Sequence, residues 1–391
     1  MTAGGTTRRD ETALIQARLR SHGLCWQGRT GALGTPTDVV RRLLAVQAQD
    51  FPSGMWAIGS RSHGSTAASV TASFDRGEIV RTWPMRGTLH VVAAEDLGWM
   101  VRLAAPRVLS SMAGRHRQLE LDQASFDLAR DIAERLLGGG GRATRDEFMA
   151  ALEAAGIATT GQRGPHLVAT LAMTGLVCWG PTAGSQQALV LTEEWIGRGR
   201  DLTDDEALGE FVLRYLRGHG PATMKDFIWW SKLTVAQAKR GWAVAGDRIL
   251  ETVHGDLSYW SIAEDRAAGP EAADEDVVEP ADPDAGRSRR VLALPGFDEY
   301  LLGYTGRDLV LPPEHFEKIV PGGNGIFLPL IVVDGRIVGT WRRRIAKGTV
   351  TITPAPFEPL SARTLTGFAS AARAYARFLA LSPDIAAPVP L

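Results

Sequence analysis

Apolar positions along this chain recur in blocks at helical spacing, and each block is followed by a pair of short apolar runs. The clearest block lies in the middle. Residues 126–137 form an amphipathic pattern that ends at four consecutive glycines, Gly138 to Gly141. Thr144 opens a second helix, and Glu147 three positions later completes a capping box. A third helix is predicted over 163–174, with Gly175 placed to cap it. The runs 176–179 and 188–192 then predict a hairpin across the turn-rich stretch from Gly180 to Ser185. Three helices and a hairpin, in that order, make a winged helix.

The next block repeats the order. Residues 206–216 read as helix and 218–222 as a break; Thr223 with Asp226 and Thr234 with Gln237 then start two further helices. The last of these carries Lys239 and Arg240, and the strand pair 249–253 and 258–262 follows. A less regular unit comes first. Residues 11–19 are helical, and Thr35-Pro36-Thr37-Asp38 is a strong helix start with proline at the first position. That helix runs through Leu44, and strands are expected at 79–85 and 88–92 around Arg86-Gly87. Beyond residue 290 the pattern turns to strands, at 290–294, 328–333, 337–342 and 349–352, with Asp334-Gly335 as a hairpin turn. A helix over 362–379 ends the pattern. The expected organisation is α+β: a frayed start at 1–10, winged helices at 11–120, 121–200 and 201–263, an acidic linker at 264–289, and a β-rich element with a C-terminal helix at 290–391.

Composition changes this picture in one place. The chain is 45% hydrophobic and carries a formal charge of −1, which by itself argues against nucleic acid. Nine of its acidic side chains fall within 264–284 against a single Arg266, so that segment carries −8 and the remainder +7. An acidic stretch rich in Pro and Ala buries too little surface to fold, and the rest is mildly basic, as DNA binding requires. No apolar run approaches the ~20 residues of a membrane span. The first ten residues lack the apolar core of a secretory signal. Two distant cysteines, Cys25 and Cys178, suit neither a disulfide framework nor a zinc site, and reduced thiols fit the cytoplasm.

Standard catalytic constellations are missing. The chain has no GxSxG, P-loop, HExxH or dinucleotide fingerprint, and His63 and His90 stand apart from one another. The cluster Arg115-His116-Arg117 reads as a solvated face or a phosphate contact. The segment Gln47-Ala48-Gln49-Asp50-Phe51-Pro52 is different. On a helix, positions two apart point ~200° away from each other. On extended backbone they share a face. Pro52 disfavours helix at Phe51, so the chain is expected to be extended here and to turn both amides toward one site. By spacing alone, the commoner reading is a polar end to an amphipathic helix.

Three blocks reverse that balance. Residues 43–50 contain the two glutamines; 81–90 read Arg81-Thr82-Trp83-Pro84-Met85-Arg86-Gly87-Thr88-Leu89-His90; and 294–304 read Leu294-Pro295-Gly296-Phe297-Asp298-Glu299-Tyr300-Leu301-Leu302-Gly303-Tyr304, with Arg307 beyond. Together they resemble the AlkZ/YcaQ family of winged-helix DNA glycosylases, over about residues 12–380. The resemblance implies three tandem winged helices with a C-terminal β-rich element, forming a C-shaped DNA-binding cleft. It also implies catalysis by Gln47 and Gln49, the Gln-x-Gln pattern of the AlkZ branch, where the other branch has Asp at the second place. In AlkZ-like relatives the activity serves self-resistance to a DNA-alkylating natural product.

Glutamine has no useful pKa and cannot act as a general base. It can hold a water and turn a partial negative charge toward an oxocarbenium ion. Such help suffices when the leaving base already carries positive charge. The expectation is therefore a monomeric, monofunctional hydrolase acting on N7-alkylated purines in double-stranded DNA, with no metal or organic cofactor and no membrane partner. Arg81, Arg86 and His90 are candidate phosphate or lesion contacts near the first hairpin. Arg342, Arg343 and Arg344, placed just after a strand, are candidates to clamp the DNA backbone. Asp298 and Arg307 read as structural. The competing class is a non-catalytic winged-helix regulator.

Overall fold

The computed structural model describes residues 3–24, 33–184, 186–263 and 290–389. The acidic segment 264–289, read as a linker, lies outside these residues, as does Cys25. Helix α1 (Ala3–Ser21) begins inside the stretch expected to be frayed. No proline interrupts it, so a helix anchored by the buried Leu14, Ile15 and Leu19 continues toward the N-terminus.

Thr35 caps α2 (Pro36–Leu43) in a reciprocal box with Asp38. The helix does not reach Leu44 as helix. Leu44 adopts φ 65° and ψ −47°, a conformation that costs a non-glycine residue about 1–3 kcal/mol. Its fully buried side chain holds the turn in place. Strand β1 (Ala45–Gln47) starts immediately after it. Helix α3 (Phe51–Gly59) follows, then α4 (Ala67–Asp75), β2 (Ile79–Met85) and β3 (Thr88–Ala93). Phe51 is helical, contrary to the expectation drawn from Pro52. Proline is well tolerated in a first helical turn, and the extended stretch ends one residue earlier, at Asp50. Arg86 and Gly87 both take positive φ, 58° and 71°, the turn that a two-residue hairpin requires.

A long helix, α5 (Leu97–Gln118), was not anticipated. In its final turn Arg115 and Arg117 are exposed as expected, but His116 between them is buried, with its ring against Phe126 and His166. The middle unit is α6 (Gln123–Leu137), α7 (Arg145–Ala154), α8 (Arg163–Met173), β4 (Val177–Ala183) and β5 (Gln186–Leu191). Its hairpin is longer than the apolar runs suggested, because a register shift between Trp179 and Thr182 accommodates Pro181 within β4. Short α9 (Thr192–Ile196) leads to α10 (Asp204–His219), α11 (Met224–Ser231), α12 (Val235–Ala245), β6 (Ile249–His254) and β7 (Leu257–Ile262). The capping boxes at Thr144, Thr223 and Thr234 form as the spacing requires. Helix–helix–helix–hairpin is thus the observed order in both units.

The remaining elements are β8 (Val291–Leu294), α13 (Glu299–Leu302), α14 (Phe316–Ile319), β9 (Leu330–Val333), β10 (Arg336–Ala346), β11 (Thr349–Pro356), α15 (Ala362–Phe378) and β12 (Ser382–Ile385). Strands β12-β11-β10-β9-β8 form one sheet, and β1-β3-β2-β4-β5 form another that joins the hairpins of the first two units at Arg81 and Trp179.

Buried polar bonds dock the C-terminal sheet on the first unit. Trp56 Nε1 donates to Ala293 O at 2.8 Å, and within the sheet itself Trp341 Nε1 donates to Leu294 O at 2.8 Å. Arg61 makes a two-pronged ion pair with Asp298, at 2.9 and 2.7 Å, with both side chains fully buried. This clamp fixes the residue after Asp298 against β1. Among the described residues, no helix is long and apolar enough to cross a membrane.

Candidate active site

The two glutamines lie on extended backbone, as their spacing predicted, but the segment is held far more tightly than a loop would be. In β1, Gln47 pairs with His90 of β3. The Ala48 N–H donates to Leu89 O at 2.8 Å. The methyl of Ala48 points the other way, into α3, where a Cβ on Gly54 would come within 2.8 Å of it. Only glycine allows that helix to lie so close. Gln47 is 6% exposed, whereas Gln49 is open to solvent. The Gln47 Oε1 accepts from the Gln49 N–H at 3.4 Å, and the Gln49 Oε1 accepts from the Leu89 N–H at 3.3 Å. An amide oxygen has two lone pairs, so each retains one for a water or a substrate.

Two charged side chains hold the main chain of this segment. Arg81 donates from Nε to Ala48 O at 2.9 Å, its guanidinium lies 5.1 Å from the Phe51 ring centre, and burial lowers its pKa to about 10. Its Nε is thus engaged by the carbonyl between the glutamines. From the other side, Glu299 Oε1 accepts from the Gln47 N–H at 3.1 Å, and Glu299 Oε2 accepts from the Trp230 indole N–H at 2.8 Å. This carboxylate is buried, which opposes ionisation. Contact with His219 and the positive charge of Arg86 prevail and take its pKa down to about 2.

Arg86 and His90 belong to the same buried group, and for His90 the expectation of a DNA contact is corrected. His90 is fully buried, and burial followed by the charge of Arg86 lowers its pKa to about 3. Arg86 Nη2 donates to His90 Nε2 at 2.8 Å, which leaves Nδ1 to carry the proton and donate to Thr88 O at 2.9 Å. A neutral, enclosed imidazole reaches no phosphate. The Arg86 side chain is 9% exposed and stands 3.8 Å from Glu299. Its role is first to neutralise that carboxylate.

The arginine run also differs from its expected place. Arg342, Arg343 and Arg344 lie within β10 rather than after it, opposite Thr353, Ile352 and Thr351. Strand alternation leaves Arg342 and Arg344 exposed on one face. Arg343 points to the other, with its guanidinium 5.7 Å from the Tyr375 ring centre. Cys178 is a core thiol, pushed up to about 12 by burial.

Glu299, Trp230 and His219 were missed as candidates. A signal was present: two adjacent acids, Asp298 and Glu299, interrupt an otherwise apolar block, and buried carboxylates require partners. One of those partners turns out to be the catalytic candidate's own backbone.

Residues 40–378 match the family model described as DNA glycosylase AlkZ-like. The chain is similar to the interstrand DNA cross-link repair glycosylase of Streptomyces sahachiroi, 29% identical over 341 residues that cover 82% of this chain and 85% of that protein. Its fold is similar to the solved Streptomyces sahachiroi DNA glycosylase AlkZ, with a TM-score of 0.73 and 24% identity, covering 97% of this chain and 99% of that one. The family match includes β1, the β2–β3 hairpin and Glu299, the elements that frame the two glutamines. The chain therefore belongs to the AlkZ-like family of DNA glycosylases, hydrolases of N-glycosidic bonds in DNA.

Proposed function

We propose that Gln47 and Gln49 are the catalytic residues of a monofunctional, monomeric glycosylase that releases cationic N7-alkylated purines from double-stranded DNA. Interstrand cross-links and bulky adducts of that chemistry belong to its substrates, in keeping with the name of the similar Streptomyces sahachiroi protein. The observation that carries this reading is the three-fold fixing of the Gln-Ala-Gln main chain: Glu299 on the Gln47 N–H, Leu89 on the Ala48 N–H and Arg81 on the Ala48 carbonyl. With its backbone bonds spent in this way, the strand offers the two amide side chains and little else.

Those amides set the substrate class. An N7-alkylated guanine departs as a neutral base when its glycosidic bond breaks, so no acid is needed to protonate it. The sugar is left as an oxocarbenium ion. A water held on an amide oxygen attacks the anomeric carbon, and its proton passes to solvent. The amide dipoles, partly shielded from water by the burial of Gln47, favour the developing positive charge. Neutral bases such as uracil lack the built-in charge and are poor substrates. Arg342 and Arg344, exposed side by side on β10, are proposed as contacts to the DNA backbone.

The test is incubation with duplex DNA containing N7-methylguanine, with released base and heat-labile abasic sites measured. The wild-type chain releases base, and a Gln47→Ala, Gln49→Ala double variant loses most of that rate while still binding DNA. Equal rates in the two proteins would remove the proposed site. A borohydride-trapped enzyme–DNA adduct would overturn the monofunctional assignment.

A further inference from the structure

Helix α11 carries two adjacent tryptophans that point in different directions. Trp230 is fully buried and bonds to Glu299, the carboxylate that holds Gln47. About 100° further round the helix axis, the half-buried Trp229 collects cations instead. The Arg86 guanidinium lies 5.5 Å from its ring centre, the Lys232 ammonium 5.5 Å and the Arg307 guanidinium 5.3 Å. These come from three separate parts of the chain: the β2–β3 turn, the C-cap of α11 and the loop after α13. Arg307 is also flanked by the rings of Phe316 and Phe327, at 5.6 and 5.3 Å.

An indole attracts cations to its faces, but it does not remove the repulsion among them. That repulsion is felt here. Burial, then the charges of Arg86 and Arg107, lower the pKa of Lys232; at Arg307 burial lowers it, the charge of Asp226 opposes the shift, and Arg86 adds to the lowering. Hydrogen-bonding capacity is left over as well. Arg307 donates from Nε to Leu301 O, but its two terminal nitrogens and the Lys232 ammonium have no hydrogen-bond acceptor among the described residues. The Arg86 Nε is buried and unpartnered. The nearest anions are already engaged: Asp226 receives the N–H and hydroxyl groups of Thr223 and Thr305, and Glu299 receives Gln47 and Trp230.

We infer that Lys232 and Arg307, gathered on Trp229 with Arg86 beneath them, form a binding site for a phosphodiester of the DNA strand. A phosphodiester brings one negative charge and two acceptor oxygens to a place where positive charge and free donors converge. Through Arg86 the site shares a side chain with the Glu299 group, so a phosphate seated here registers the strand relative to Gln47. The assignment deepens the reading of the chain as an enzyme on duplex DNA and rests on that reading.

The experiment measures the affinity of the full chain for an unmodified duplex as a function of salt. It compares wild type with a Lys232→Gln, Arg307→Gln double variant and with an Arg130→Ala, Arg135→Ala pair on α6, which takes no part in the cluster. Loss of two phosphate contacts lowers the magnitude of the slope of log K against log salt by about 1.8 and weakens binding roughly 60-fold at 0.1 M salt. Thermal melting establishes that the variant is folded. A folded double variant whose slope and affinity equal those of the α6 pair would overturn the site. Because the DNA carries no lesion, the result is independent of base release. A chain that fails to excise alkylpurines but shows the slope change keeps this site and loses the catalytic assignment, and the converse result loses only the site.

Discussion

Replacing Glu299 tests whether a buried carboxylate holds the catalytic strand. In Glu299→Gln the side chain keeps its shape and loses its charge. Both oxygens now accept, one from the Gln47 N–H and one from the Trp230 indole. An amide presents an NH2 to one of these two donors, and Arg86 is left without its counter-charge. The wild-type carboxyl has its pKa lowered from 4.5 to about 2, which corresponds to roughly 3 kcal/mol of stability at neutral pH. The sign follows from the direction of the shift. With its folded pKa depressed, the group contributes fully above the unfolded value near 4.5 and loses that contribution as pH falls toward 2. Urea unfolding at pH 7 is therefore expected to show the variant about 2–4 kcal/mol less stable, and the gap between the two proteins should narrow steadily below pH 4.5. Single-turnover base release should fall about 10- to 100-fold, because a strand displaced by less than an ångström misplaces Gln47. A stability difference that stays constant from pH 7 to pH 3, or unchanged base release, would refute the reasoning.

Two further outcomes follow from the same contacts. In Arg81→Met the bond to Ala48 O is lost at a cost near 1.4 kcal/mol, so excision slows about ten-fold while DNA affinity and its salt slope are unchanged; a slope reduced by about 0.9 would instead make Arg81 a phosphate contact. Asp298→Ala leaves the Arg61 guanidinium buried and unpaired, and chemical denaturation should register a loss of about 3–5 kcal/mol. A loss below about 1 kcal/mol would show that this clamp does not hold the C-terminal sheet in place.

The elements that were legible in the sequence are those set by short-range rules. Thr144 with Glu147, Thr223 with Asp226 and Thr234 with Gln237 each satisfy a helix start with atoms three residues apart, so the sequence alone located the helices of the second and third units. Arg86-Gly87 marked its hairpin for a similar reason: both positions need positive φ. Failures begin where distant packing decides. The α2 helix gives way to β1 at Leu44, an unfavourable backbone that only a buried side chain can maintain, and nothing local announces it. Pro181 looked like a turn residue but sits in β4, because a register shift frees it from the ladder.

The catalytic candidates show the same division. That Gln47 and Gln49 could share a face followed from a period of two on extended backbone. The means of holding them did not, because every group that does so comes from elsewhere: Arg81 from 33 positions along the chain and Glu299 from 252. Charge and polarity near the first hairpin suggest contact with DNA for both His90 and Arg86, but His90 is enclosed, and Arg86 stands against the carboxylate of Glu299, which nothing local announces. A polar residue beside a catalytic segment can face the substrate or brace the segment, and composition does not distinguish the two. What distinguishes them is whether the side chain's donors are spent inside the fold. By that criterion His90 braces the strand, as does Arg81 through its Nε, while Lys232 and Arg307 keep donors for the nucleic acid.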